Sequence, residues 1–439
     1  MHLYGTMTIN ERNHLEIGGV DTTEIVREFG TPVYVYDVAL IREQAAGFKR
    51  AFESADIPYQ VAYASKAFST IAMVQLADEL GLSLDVVSSG EMMTAKKADF
   101  PMEKVHFHGN NKSKEEIRLA FDLNIGCIVL DNFHDIALVS KEAAKREQKM
   151  DVLLRITPGI EAHTHEYIAT GQEDSKFGFD LTSGQVEEAI RQLQHDSYVN
   201  ILGIHSHIGS QIFETDGFVL VIEKIFQELP QWKEKFQFVP AVLNVGGGFG
   251  IRYTKEDEPL RPEEYVTPII RAIKKEAIKA EMDIPEIWIE PGRSIVGEAG
   301  TTLYTVGAQK EVPNVRRYVS VDGGMTDNIR PALYEAKYEA LLANRAKDPV
   351  ENTFSIAGKC CESGDMLIWD ISLPEPEDED ILAVFATGAY GYSMANNYNR
   401  FTKPPVVFVE NGQCHLVVKR ETIEDLLKND LPLYSPERV

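Results

Sequence analysis

Residues 59–87 read YQVAYASKAFSTIAMVQLADELGLSLDVV: an aromatic and β-branched run at Tyr59–Ala64, a longer amphipathic stretch, then a second short run at Leu84–Val87. A strand-like run, a helical period and another strand-like run make the sequence form of a β-α-β unit, whose strands lie parallel. The pattern repeats. Val105–His108, Cys127–Leu130, Val152–Ile156, Leu202–His207, Val242–Val245 and Ile287–Ile289 are six further runs, and stretches such as Thr182–Gln194 and Pro262–Ala280 between them read as helices. Eight units in about 240 residues is the count and size of an α/β protein built on a (β/α)8 TIM barrel, and fits an open doubly wound sheet less well.

Beyond about Ser294 the helical period fades and strand-like runs follow at Thr302–Val306, Arg317–Val321, Met366–Trp369 and Leu382–Phe385. Val406–Val409 and His415–Lys419 flank Asn411-Gly412, a hairpin signal, and Thr422–Lys428 reads as a closing helix. The expected organisation is an N-terminal segment 1–36, a barrel 37–294 and a C-terminal β domain 295–439. The N-terminal strand PVYVYD is expected to join that β domain, because chain termini often lie together.

The chain has 439 residues, 44 of them basic and 68 acidic, for a formal net charge of -24. Such a field repels nucleic acid phosphates and anionic membranes. Four cysteines, with Cys360 and Cys361 adjacent, make neither a disulfide framework nor a C-x-x-C zinc pair. No signal-like N-terminus and no apolar run of about 18 residues is present, so a cytoplasmic protein without a membrane anchor is expected. The acidic stretch Glu375–Asp380 reads as a solvated loop.

In a barrel, catalytic groups gather at the C-terminal strand ends, and phosphate often binds after strands seven and eight. Lys66 follows the first run, Asp85 lies on the second, His207 ends the sixth in HSHIGSQ, Gly246-Gly247-Gly248 ends the seventh and Glu290-Pro-Gly-Arg293 ends the eighth. GGGFG has the spacing of neither nucleotide motif, but its bare backbone suits a phosphate nest. Alone, YASKAF would be a surface lysine and GGGFG a tight corner. Together, a lysine, a phosphate nest and a carboxylate at one barrel mouth fit pyridoxal 5'-phosphate held as a Schiff base.

YASKAF, HSHIGSQ, GGGFG, EPGRS, RPALYEA, CESGD and GAYGYSM, in this order along nearly the whole chain, resemble the diaminopimelate decarboxylase family of fold-type III pyridoxal-phosphate enzymes. Several of these motifs are shared with ornithine and arginine decarboxylases. The resemblance implies Lys66 as the Schiff-base lysine, Glu290 as partner of the pyridine nitrogen and His207 over one face of the ring. It places Ser210, Gly246, Gly247, Gly248, the backbone at Gly292 and Arg293, and Tyr390 around the phosphate, with Asp85 near the cofactor. A carboxylate at the ring nitrogen keeps it protonated and so favours decarboxylation.

For the substrate, the resemblance implies that Arg293, Arg330 and Tyr334, with Tyr390 nearby, grip a carboxylate while Glu362 takes an ammonium group. Cys361 is implied to enter from the second subunit of a homodimer and to supply a proton. These residues imply conversion of meso-diaminopimelate to L-lysine and CO2, the last step of lysine biosynthesis. Phe68 and Gln211 depart from the family pattern without removing a needed group. Cys360 has no assigned part, and Cys127 and Cys414 read as structural thiols.

Two other readings stand beside this one. An ornithine- or arginine-type decarboxylase would need no second anion clamp. A zinc hydrolase could use His163-x-His165 and His205-x-His207, although no metal is expected. Non-catalytic cofactor carriers with this barrel lack the β domain and the CESGD loop.

Overall fold

The structure, a computed structural model, describes residues 2–160 and 175–433. The chain divides into two compact units, Leu40–Glu298 and Met1–Ala39 with Ala299–Val439.

The first unit is a closed barrel of parallel strands: β1 (Tyr59–Ala64), β2 (Ser83–Val86), β3 (Val105–Phe107), β4 (Cys127–Leu130), β5 (Met150–Thr157), β6 (Val199–His205), β7 (Val242–Asn244) and β8 (Glu286–Ile289). Each pairs with the next, and β8 returns to β1 through Ile287 opposite Tyr59. Strands covered on both faces need apolar residues throughout, as in β4, where all four are buried. A two-residue strand, Phe179–Asp180, lies parallel to the end of β5 and was not anticipated, because two residues carry no periodicity.

Alternation along each strand sets what faces inward. His106 and His108, Val242 and Asn244, and Trp288 and Glu290 are pairs two residues apart, so each pair points to one side. The lower members make an apolar floor in which Cys127, Val129, Leu153, Val242 and Trp288 cluster. His106 stacks on Trp288 there, with centroids 4.3 Å apart and planes 7° from parallel. The upper members stand above this floor at the strand ends.

The helices after β1 to β4 begin at side-chain caps, Thr70, Ser88, Ser113 and Asn132, each accepting a backbone N–H of the first turn. These caps fix the loops at the barrel mouth. The β3 loop is tied further by Lys112, 2% exposed, whose Nζ donates to Gly109 O at 2.6 Å, Val129 O at 2.7 Å and the buried Asp135 carboxylate at 2.7 Å. Asp135 Oδ2 also accepts the Asp131 N–H at 3.1 Å.

In the second unit the strand Val33–Asp37 is buried along its length. It runs antiparallel to Gly300–Val312 on one side and parallel to Val406–Glu410 on the other. Val406–Glu410 pairs with Gln413–Val418 around Asn411 and Gly412, at φ 51 and 75, the left-handed pair that an N-G turn supplies. Gly300–Val312 continues through Arg316–Val321 and Asn352–Ala357 to Met366–Leu373, while Ala340–Leu342 and Ile381–Val384 pair on its other part. Arg330–Tyr334 forms one helical turn, and Ile423–Leu427 a capped terminal one. Among the described residues, no helix is long and apolar enough to cross a membrane.

Candidate active site

Glu290 follows β8 and is 6% exposed. Its Oε1 accepts Asn244 Nδ2 at 2.7 Å, its Oε2 lies 3.1 Å from His205 Nε2, and His108 Nε2 stands 3.1 Å from Oε1. Burial would raise the pKa of this carboxyl, but His108 and His205 outweigh burial and hold it well below the usual range. Burial pushes His205 down to about 4, so its Nε2 serves Glu290 as a neutral donor. The carboxylate therefore stands ionised in a dry wall, with imidazoles and an amide but no lysine or arginine in salt-bridge contact among the described residues.

Asn244 joins this wall to the glycine loop, because its Oδ1 accepts the Gly246 N–H at 2.9 Å. Gly246 has φ 72, a conformation that a Cβ makes costly. At Gly247 the constraint is space: a Cβ would fall 1.9 Å from the Glu290 carbonyl oxygen. The Gly247 N–H donates to His207 Nδ1 at 3.3 Å, which leaves the Nε2 side to carry the proton of a neutral ring. Burial, then Lys66 and Arg155, hold His207 well below its ordinary pKa. The loop at 209–212 packs on Gly248, and Gln211 bonds the Ile251 backbone through both ends of its amide, at 2.7 and 3.2 Å.

Arg293, 7% exposed, donates to Ser210 Oγ at 3.0 Å and to the Tyr253 hydroxyl. It thus stands with Ser210 beside the glycine loop. Gly292 leaves the room that its approach to Ala64 needs, since a Cβ would lie 2.9 Å from Ala64 Cβ. Lys66 is exposed on the short turn Ser65–Ala67 that leaves β1. Asp85, 2% exposed, feels burial first, which raises its pKa, and is opposed by His108. The barrel unit therefore holds Lys66, Asp85, His207, Ser210, Gly246 to Gly248, Glu290, Gly292 and Arg293.

Arg330, Tyr334, Cys361, Glu362 and Tyr390 belong to the second unit. Arg330 is buried, donating to the Tyr338 hydroxyl at 2.7 Å. Cys361 and Glu362 are exposed on a loop pinned by its backbone: Cys361 N–H donates to Asn399 Oδ1 at 2.8 Å and Cys360 N–H to Asp365 Oδ2 at 2.7 Å. Burial, aided by Asp365, pushes the Cys360 thiol up to about 12, which keeps it inert. Tyr390 has φ 60.

His108, Asn244, Tyr253 and Asp365 were not singled out from the sequence. The signal for Asn244 was present, since the period of two that puts Val242 inside puts Asn244 inside as well. Of the suspected metal pairs, His163 and His165 lie outside the described residues. His205 and His207 diverge, one to Glu290 and the other to Gly247. His108, His205 and Glu290 do offer three ligand atoms within 4.8 Å of one another, a set not foreseen.

An ionised buried carboxylate, a bare-backbone nest and a lysine at a barrel mouth define the class of pyridoxal-dependent enzymes, and the sequence profile described as "Pyridoxal-dependent decarboxylase, pyridoxal binding domain" matches residues 38–297. The diaminopimelate decarboxylase of Bacillus subtilis (strain 168) is 66% identical over 98% of this chain and 98% of its own. That of Halalkalibacterium halodurans is 60% identical over the whole of both. A crystal structure of diaminopimelate decarboxylase from M. jannaschii in co-complex with L-lysine superposes with a TM-score of 0.90 at 36% identity, covering 97% of this chain and 98% of that one. The chain belongs to the diaminopimelate decarboxylase family.

Proposed function

We propose that the protein decarboxylates meso-diaminopimelate to L-lysine and CO2 with pyridoxal 5'-phosphate, as a homodimer. The observation that carries this reading is the Glu290 carboxylate, kept ionised by His108, His205 and Asn244 within one residue contact of a glycine nest. At Gly246, Gly247 and Gly248 a Cβ would collide with the backbone of Ser206, Glu290 and Gly209, so glycine alone lets this loop pack at the strand end, where its bare backbone suits a phosphate. When bound, the cofactor supplies an electron sink for the pair left by departing CO2. Glu290 would hold the proton at its ring nitrogen, and Lys66 would hold the cofactor through its amine. His207 would stand against the ring, and Ser210 with Arg293 would stand at the phosphate end.

Arg330, Tyr334 and Glu362 would receive the far amino-acid end of the substrate, which ornithine and lysine lack. The Cys361 thiol of the partner subunit would then give its proton to the carbon that lost CO2. Membership of a decarboxylase family leaves the zinc hydrolase reading without support. Release of CO2 from meso-diaminopimelate, ornithine, arginine and lysine, each with added pyridoxal phosphate, tests the substrate. Discrimination against lysine on the order of 10⁴ is expected because the buried Arg330 would lose the carboxylate it is placed to meet. Comparable turnover of ornithine or lysine would overturn the assignment.

A further inference from the structure

His108 is the first residue past β3, and its N–H still pairs with Val86 O at 2.8 Å, which extends the ladder and aims the ring inward. The ring is 5% exposed, and its Nε2 lies 3.1 Å from Glu290 Oε1 and 3.7 Å from Asp85 Oδ1. His108 Nε2 and Asp85 Oδ1 are both buried without a well-formed hydrogen bond, so the nearest polar groups to the imidazole nitrogen are the two carboxylates. His205 crosses the ring edge to face at 5.0 Å, so the two imidazoles bracket one carboxylate.

Two carboxylates this deeply buried repel one another, and one of them would take up a proton unless a cation stood between them. A single imidazole nitrogen occupies that place. We propose that His108 is a positioning residue that carries a proton between Asp85 and Glu290, so that Glu290 meets the cofactor's ring nitrogen as a carboxylate. This deepens the function proposed above and rests on it.

The contrast with His205 sharpens the assignment. Of the two acids His205 meets only Glu290, and it is held neutral by burial, so it orients the carboxylate without neutralising it. His108 Nε2 lies close to both acids, 3.1 Å from Glu290 and 3.7 Å from Asp85. The titratable and charged groups around its nitrogen are Asp85 from β2, His106 from β3, His205 from β6 and Glu290 after β8, with Lys66 acting on Asp85 and Arg155 on both carboxylates.

The test compares holoenzymes of wild type, His108→Gln, His108→Phe and Glu290→Gln. Glutamine keeps an N–H donor of similar reach but cannot carry the proton. Each is read by the visible spectrum of bound pyridoxal phosphate between pH 5.5 and 9, by cofactor Kd, and by kcat and KM for meso-diaminopimelate. His108→Gln should lower kcat about tenfold with KM within about threefold, and should move the pH midpoint of the spectrum. His108→Phe should show the same spectral change with weaker cofactor binding.

A His108→Gln enzyme within twofold of wild type in kcat and spectrum, beside an impaired Glu290→Gln, overturns the proposal and leaves the role of Glu290 standing. A loss of kcat with an unmoved spectral midpoint also overturns it, since that marks a packing role. An unimpaired Glu290→Gln removes both.

Discussion

Lys112→Met is the perturbation whose cost can be worked most directly from the structure. The substitution keeps the length of the stem and deletes three donated hydrogen bonds and the cation opposite Asp135, which is itself fully buried. Removing one partner of a buried ion pair costs about 3–5 kcal/mol, because the remaining charge has no water to turn to. At roughly 2–4 °C per kcal/mol in a unit of this size, the melting midpoint should fall by roughly 10 °C. Combining it with Asp135→Asn removes the stranded charge while an amide oxygen can still accept the Asp131 N–H. The double variant should therefore recover at least about 2 kcal/mol of the single loss, read as the coupling in a urea double-mutant cycle followed by tryptophan fluorescence. Strictly additive costs, within about 0.5 kcal/mol, would refute the claim that Lys112 is held by charge compensation.

Acid should draw stability from the barrel through two buried histidines. Burial holds His106 down to about 3 and His205 to about 4, against an ordinary 6.5. Unfolded chains bind protons at these rings below pH 6.5 and the folded one does not, so their contribution is complete above 6.5 and is lost as pH falls towards 4 and then 3. The slope is up to about 3 kcal/mol per pH unit for both rings, and urea midpoints that stay constant from pH 7 to 5 would contradict it. Lys66→Ala should abolish the visible band of bound cofactor and nearly all CO2 release; retention of turnover would remove its assigned role. Inactive Lys66→Ala and Cys361→Ala chains refolded together should regain roughly 25% of wild-type activity through mixed dimers. Failure to regain it, with mixing proven by mass, would place the site within one chain.

The barrel was readable because its strands are buried on both faces and so appear as unbroken apolar runs between helical periods, as at Cys127–Leu130. Lys66, Glu290 and the glycine run were readable by position, each at a strand end. His108 was not, for a reason of geometry. Its meeting with Glu290 depends on closure of β8 onto β1, which brings together strands far apart in sequence. Arg293 illustrates the other shortfall: a guanidinium reads as an anion clamp, and only packing reveals Ser210 and Tyr253 as its partners. Ala340–Leu342, three residues long, is defined by its neighbour Ile381–Val384 and by nothing local.

The buried strand Val33–Asp37 has an awkward timetable. It leaves the ribosome early, yet the strands that flank it begin at Gly300 and Val406. At about 5–20 residues per second, a newly made VYVYD segment waits roughly 13–50 s for its first partner and roughly 20–75 s for its second. During that interval an apolar strand with both edges open is exposed on every nascent chain, while the barrel behind it can already close. Expression at high rate should accordingly put this segment, and not the barrel, at the root of insoluble product.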